Sequence, residues 1–562
     1  MADAHTQQQR DPPIRRIRRA CDGCRARRVK CNGDPDRCQQ CSHLGLRCVY
    51  STEKSKSSRS GVTRGSVISR LKGNSTSPAA IDAPRGSLQA ALNHDASGES
   101  VAAAHQASLS SSTGRTLPIF SKDFFRGLID DYTLYVYEVN PIISPLEMLE
   151  SIDRMDHADH RVDHALVHAY AAVTINLTSP DWQADQGKSQ LIHQLLGVAM
   201  AKRSEIMTEA MTIITSNLHP YLTAQLIMTA IFTEICLMAV DKFAEAFVIL
   251  REAISLIQLL RVDRLNIDPE FLPAAAEQGS NHTGELSLSD KTRRIRMYWE
   301  AFIHERFLTI MAYYPPTLPV LPPEVSLPQE DTSIPGNVHV GWQYLIKLFS
   351  TLDDEFVHYW LSANKTSPKP VTAAWIESKM HYLHSVYDID LGLQPDTYHY
   401  QNNNPSPEMV VSPHADPSLP SAACLSALQK ADIIITRQWL LMLLWQLAMS
   451  NFLLTSDAAS SEANSMSLQF PARLSKQLRQ VVVFLGRASI EVHGSGIHRK
   501  LFEITNALAD VIVHVPTDNS EQATQRMDDF NFLFDFLHTS ASLSEVQIKL
   551  LAEKSMSLKA GT

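Results

Sequence analysis

Beyond its first fifty or so residues the chain has only two cysteines, Cys236 and Cys424, far apart and each in apolar surroundings. A disulfide framework is therefore excluded for most of its length. Long unbroken apolar runs are missing too. The two most apolar stretches are Leu222–Val240, interrupted by Gln225 and Glu234, and Trp439–Leu454, interrupted by Gln446, Ser450 and Asn451. Both read as buried core helices rather than membrane spans. The opening MADAHTQQQRDPPIRRIRRA lacks the apolar centre of a secretory signal. A reducing, intracellular compartment and no membrane partner are the expectation. Strand-like alternation with hairpin signals is scarce, and no repeat of about 20–50 residues occurs. Residues 116–562 contain no phosphate loop, dinucleotide fingerprint, nucleophile elbow or paired metal-and-base motif, so the chain is not expected to be an enzyme.

What is present is unevenly distributed. A chain of 562 residues exceeds a single core, so two or more folded regions are expected. Residues 1–73 carry 17 Lys and Arg against 6 Asp and Glu, a net of +11; the remainder carries 34 against 54, a net of −20. A basic head suits a polyanion and an acidic body does not. Residues 51–115 are rich in Ser, Gly, Ala and Thr, cannot bury enough apolar surface to offset ordering, and read as a disordered linker. No heptad pattern is sustained there, which leaves a monomer or a homodimer made through the body.

From about Phe120 the pattern turns helical. Phe243, Phe247, Leu250, Ile254 and Ile257 recur at intervals of four and three. Comparable stripes run through 122–138, 290–312, 338–362, 422–454 and 496–514. The fold class expected for 116–562 is all-α, with 394–421 a disordered insertion and 455–467 a smaller one.

Six cysteines, Cys21, Cys24, Cys31, Cys38, Cys41 and Cys48, form C-x2-C-x6-C-x6-C-x2-C-x6-C, so the unit C-x2-C-x6-C occurs twice. Zinc prefers four tetrahedral ligands. Six thiolates cannot give two ions four private ligands each; sharing two sulfurs closes the count at two Zn²⁺. With little apolar core, residues 15–50 must take their folding free energy from metal ligation. Only the first half-site is basic. Within Arg25–Lys30, Arg27 and Arg28 suit base edges in the major groove, since the guanidinium fork matches guanine O6 and N7. Arg15, Arg16, Arg18, Arg19, Arg25 and Lys30 suit phosphates.

These residues resemble the fungal binuclear zinc cluster (Zn2Cys6) transcription factors: six cysteines at family spacing, the basic run Arg25–Lys30, and Pro35 between the half-sites. The resemblance implies that Cys21 and Cys38 are the bridging thiolates and that a CGG-like triplet is read at Arg27 and Arg28. Gln225 onward, Phe247–Leu265, Arg293–Trp299 and Pro315–Leu318 are similar to the family's helical middle homology region. Gln429–Trp439 and Glu491–Gly494 are similar to a subgroup linked to sugar use and biosynthetic gene clusters. The implied function is a nuclear, sequence-specific regulator of RNA polymerase II genes. Its partners would be double-stranded DNA and coactivators or the general transcription machinery. The competing reading is a zinc-stabilised protein-interaction module on a non-enzymatic helical scaffold.

Other features have plainer readings. His157, His160, His164 and His168 share one face of a helical wheel and are read as a polar helix face rather than a metal site. His43 is surplus to the zinc count. Cys236 is read as a packing cysteine. Arg293, Arg294 and Arg296 are read as a solvated helix face with internal salt bridges. Met527–Leu537, mixing acid and aromatics, reads as a core-facing helix in preference to an activation segment.

Overall fold

The computed structural model divides into two units, Met1–Asp82 and Ala83–Thr562. In the first it describes Ala20, Cys21, Cys24, Cys31, Asp34, Cys38 and Cys48. In the second it describes residues 120–561 except 158, 215–219, 266–286, 324, 326, 331, 363–369, 386–424, 455–464, 516, 518 and 541. The expected linker 51–115, the insertion 394–421 and Cys424 lie outside the described residues.

Helices of the second unit start where the sequence supplies caps. Ser121 caps α1 (Lys122–Arg126) by accepting from the Phe124 N–H. Residues 129–136 continue as a short helix and a π-helical stretch. Ser144 and Glu147 form a reciprocal capping box on α2 (Pro145–Arg154), with proline in the first turn where its missing N–H costs nothing. α3 (Arg161–Thr178), α4 (Gln186–Ile214), α5 (Pro220–Ala239) and α6 (Phe243–Leu259) follow. Ser287 caps α7 (Leu288–Ala312), which ends at Tyr313 in a left-handed conformation. Next come α8 (Gly336–Phe349), α9 (Asp354–Ser362) and α10 (Ala373–Ser385). A second capping box, Ser426 with Gln429, opens α11 (Ala427–Ser450). α12 (Phe470–Leu485), α13 (Gly494–His514), α14 (Ser520–His538) and α15 (Glu545–Gly561) complete the unit. The fold is all-α, with no β-strand among the described residues.

Two helices organise the core. α3 packs against α2, α4 and α5, and α5 leads through α6 to α7. α11 packs against α8, α10, α12 and α13, while α5 with α13 and α7 with α8 join the two groups. Leu222–Ala239 and Ala427–Ser450 are long and apolar enough to cross a membrane, yet both are mostly buried by neighbouring helices.

Buried polar residues fix the joints. Asp163 on α3 accepts from Arg154 Nη2 on α2 at 3.0 Å and from Gln225 Nε2 on α5 at 2.7 Å, tying three helices to one carboxylate. Glu305 on α7 accepts from the Thr317 and Leu318 N–H groups at 2.7 and 2.9 Å and from Arg251 Nη1 at 2.9 Å. Fully buried Arg306 donates to the carbonyl oxygens of Leu352 and Leu318, each at 2.8 Å. Together they clamp the extended segment after α7. Gly494 adopts φ +62°, and a Cβ there would lie 2.8 Å from Leu177 Cδ2.

Several expectations change here. The arginines of α7 are not a solvated face: Arg293 pairs with Glu147 on α2 at 2.7 Å, and Arg294 and Arg296 are buried. Their aliphatic stems fill interior space that a charge count cannot reveal. The four histidines do not share a helix, because α3 starts at Arg161, after His157 and His160. His164 and His168 stack at 4.4 Å; His168 packs on Phe120 and Phe125, and burial pushes it down to about 4. The stripe at 338–362 breaks between Phe349 and Asp354. Of the shorter expected insertion, Met466 and Ser467 are packed, Ser467 accepting from Trp445 Nε1 at 2.9 Å. Two plain readings hold. Cys236 is buried, and Phe530, Leu533, Phe536 and Leu537 of α14 face the core.

Candidate metal centre

In the N-terminal unit the sulfurs of Cys21, Cys24, Cys31 and Cys38 all lie within 4.8 Å of one another. Cys21, Cys24 and Cys38 are fully buried, while Cys31 and Cys48 are partly exposed. The Cys38 sulfur is 3.6 Å from that of Cys21 and 3.5 Å from that of Cys24. A disulfide holds its sulfurs at about 2.05 Å. Four thiolates about 2.3 Å from one zinc, at tetrahedral angles, stand about 3.8 Å apart. The observed spacing fits shared metal ligation and not a disulfide.

The membership of this group is informative. Cys21, Cys24 and Cys31 belong to the first half-site, whereas Cys38 opens the second. A thiol therefore crosses from one half to complete a set of four. Two backbone amides point at cysteine sulfurs, one inside this set and one at Cys48. The Cys24 N–H points at the Cys21 sulfur at 3.4 Å, and the Cys38 N–H at the Cys48 sulfur at 3.3 Å. N–H donors to metal-bound sulfur orient the ligand and spread its negative charge. The second bond also brings Cys48, the last cysteine of the pattern, to the Cys38 backbone.

Cys41, His43, Pro35 and every residue expected at DNA, namely Arg15, Arg16, Arg18, Arg19, Arg25, Arg27, Arg28 and Lys30, lie outside the described residues. Cys24, directly ahead of the basic run, is helical. The sequence reading missed the ionic cluster inside the second unit, where His304 meets Glu234 and Glu300 across α5 and α7. Residues far apart in sequence leave no local signal of such a meeting.

An all-α body behind a compact cluster of cysteines defines a two-part protein with a thiolate metal module at its N-terminus. Residues 19–58 match the fungal Zn(2)-Cys(6) binuclear cluster domain. The chain is similar to the probable sucrose utilization protein SUC1 of Candida albicans, 22% identical over 420 residues that span 74% of this chain and 70% of that one. It is also similar to the transcriptional regulator LovE of Aspergillus terreus, 48% identical over 44 residues, or 7% of this chain and 9% of that one. A third relative is the fumonisin cluster-specific transcription factor FUM21 of Gibberella moniliformis, 36% identical over 70 residues, covering 12% and 10% of the two chains. The last two relatives are thus matched over about a tenth of their length. The first alignment extends well beyond the cysteine module.

Proposed function

We propose that the chain is a nuclear, sequence-specific DNA-binding regulator of RNA polymerase II genes whose zinc cluster reads a CGG-like triplet. The observation that carries this reading is the crossing of Cys38 into the first half-site's group of sulfurs. If Cys21 and Cys38 each serve two metals, one zinc takes Cys21, Cys24, Cys31 and Cys38. A second takes Cys21, Cys38, Cys41 and Cys48. The first of these ligand sets is the group that lies within 4.8 Å.

Zinc here is structural: bound to thiolates, it supplies folding free energy to a module with almost no apolar core. The protein's own residues do the recognition. Arg27 and Arg28 present guanidinium forks to base edges, and Arg15, Arg16, Arg18, Arg19, Arg25 and Lys30 neutralise phosphates, which gives affinity and register without sequence information. Six thiolates and two Zn²⁺ leave a charge of −2, which these arginines offset. The rest of the chain, net −20 beyond residue 73, carries the opposite balance of charge, so DNA contact is assigned to the N-terminal module. The body is the part available to coactivators or the general transcription machinery. The module occupies 15–50, 51–115 tether it, and 116–562 form the regulatory body.

Of the gene sets the relatives' names suggest, sugar utilisation has the broader support. The relative named for sucrose utilisation aligns across most of the body, whereas the other two match only short segments. The test is a binding selection on random duplex DNA with the zinc-loaded full chain. Enrichment of a CGG-like triplet is expected. Retention of DNA without any enriched motif would replace this reading with the protein-interaction module.

A further inference from the structure

A pocket of about 150 Å³ lies inside the body where α5, α7, α8, α11 and α13 converge. Its apolar lining includes Ile235, Met238, Ile303, Phe307, Leu345 and Phe349. The lining also gathers Glu234, Glu300, His304, Asp432, His493 and Lys500. Burying so many ionisable groups together costs free energy unless their partners are complete. Here they are not.

Both cations of the pocket are already engaged. His304 lies between two carboxylates, its Nδ1 2.6 Å from Glu234 and its Nε2 3.3 Å from Glu300. Burial opposes its charge, but Glu234 and Glu300 outweigh that and hold it up at about 10, so it is an imidazolium at neutral pH. Lys500 Nζ donates to Asp432 at 3.2 Å and to Thr436 at 2.7 Å, and faces the Phe349 and Trp439 rings. His493 donates from Nε2 to the Leu428 carbonyl oxygen at 3.0 Å, which leaves Nδ1 with its lone pair. Burial holds this ring neutral.

What remains is one-sided. Glu234 and Glu300 are 1% and 3% exposed, and each spends one oxygen on His304. Asp432 spends one oxygen on Lys500 and Thr436. The second oxygen of each carboxylate has no partner among the described residues, and with His493 Nδ1 these atoms make the ionisable lining rich in acceptors. With all three carboxylates ionised, three negative charges face two cations. Burial, and then Glu234 and Asp432, push the Glu300 carboxyl up, so the excess is relieved by a proton on Glu300 that a bound cation would displace.

A neutral polyol supplies donors but leaves the charge uncompensated; an anion worsens both deficits. We propose that this pocket binds a small organic ammonium ion, its N–H donors on Glu234, Glu300 and Asp432 and its hydrocarbon body against Phe307 and Phe349. A void of about this size accepts a single benzene-sized ring. The site is separate from the zinc module and stands or falls without it.

The test uses three probes of one shape and different charge on the zinc-loaded full chain: benzylammonium, benzyl alcohol and benzoate, titrated calorimetrically at neutral pH. Benzylammonium is expected to bind about tenfold or more tighter than benzyl alcohol. No heat is expected from benzoate. Glu300→Gln should weaken benzylammonium by about tenfold and leave benzyl alcohol unchanged. Leu345→Trp, which fills the apolar side without touching a carboxylate, should abolish binding of both. Equal affinity for ammonium and alcohol overturns the proposal, as does tighter binding of benzoate or no binding of benzylammonium at about 10 mM. The comparison of probes on the unaltered chain decides the matter even if a variant does not fold.

Discussion

Replacing Glu305 by Ala removes the carboxylate that ties α7 to the segment following it. Two backbone N–H groups, Thr317 and Leu318, lose their acceptor, and Arg251 loses its ion pair at 2.9 Å. Thr317 is exposed and can turn to water; Leu318 is buried and cannot. An orphaned buried N–H costs about 1–3 kcal/mol. Breaking a buried ion pair from one side costs about 3–5 kcal/mol, and here it also leaves fully buried Arg306 without its neighbouring countercharge. These costs overlap, so the expected loss is about 4 kcal/mol rather than their sum. At about 2.1 cal/mol/K per residue over the roughly 350 described residues of the body, that lowers Tm by about 5 °C. Asp354→Ala is the control. Asp354 also reaches Arg306, at 3.3 Å, but its side chain is 77% exposed, and such a pair contributes at most about 1 kcal/mol. Differential scanning calorimetry of the full chain measures both. A shift below about 1 °C for Glu305→Ala, or equal shifts for the two variants, would refute the reasoning.

Other consequences are more local. Arg28→Ala should weaken binding to the selected DNA site by about 1–3 kcal/mol and flatten discrimination among sites, measured by fluorescence anisotropy; a uniform loss on all sequences would mean phosphate contact only. Gly494→Ala should destabilise the body by about 1–3 kcal/mol, because φ +62° disfavours a Cβ that would also meet Leu177 at 2.8 Å; an unchanged melting temperature would contradict the cause given. Cys21→Ala should abolish DNA binding and empty the module of both metals, since in the proposed cluster its sulfur serves each; two zinc ions retained would show that Cys21 is not a bridge. Strong chelation of the full chain should abolish DNA binding while leaving the body's melting transition in place, because the body has a packed hydrophobic core of its own.

The parts of the molecule differ in how far the sequence reveals them. The cysteine module is readable because metal ligation is set by ligand spacing, and Cys21, Cys24 and Cys31 lie within one short stretch. Counting ligands against zinc's preference for four implies only that two sulfurs are shared; that Cys38 is one of them is what the resemblance to the zinc cluster family implies. α6 is readable because one face is wet and one is dry, so Phe243, Leu250, Ile254 and Ile257 recur at helical spacing. α3 is not, because burial surrounds it: Leu166, Val167, Ala169, Tyr170, Ala171, Ala172 and Val173 are all buried, and no polar face marks the period. Arg294 and Arg296 were misread because charge ordinarily signals solvent, and only tertiary packing shows that α7 lies inside. The pocket is the extreme case. Glu234, Glu300, Asp432 and Lys500 come from four helices, and nothing local to any one of them announces the others.

The most direct measurement is zinc and thiol stoichiometry of the purified full chain, by plasma mass spectrometry with thiol titration before and after chelation. Two zinc ions per chain are expected, with six thiols becoming reactive when the metal is withdrawn. One ion held by four cysteines, or none, would mean that no sulfur is shared between metals and that the arginine-bearing module is not built as argued.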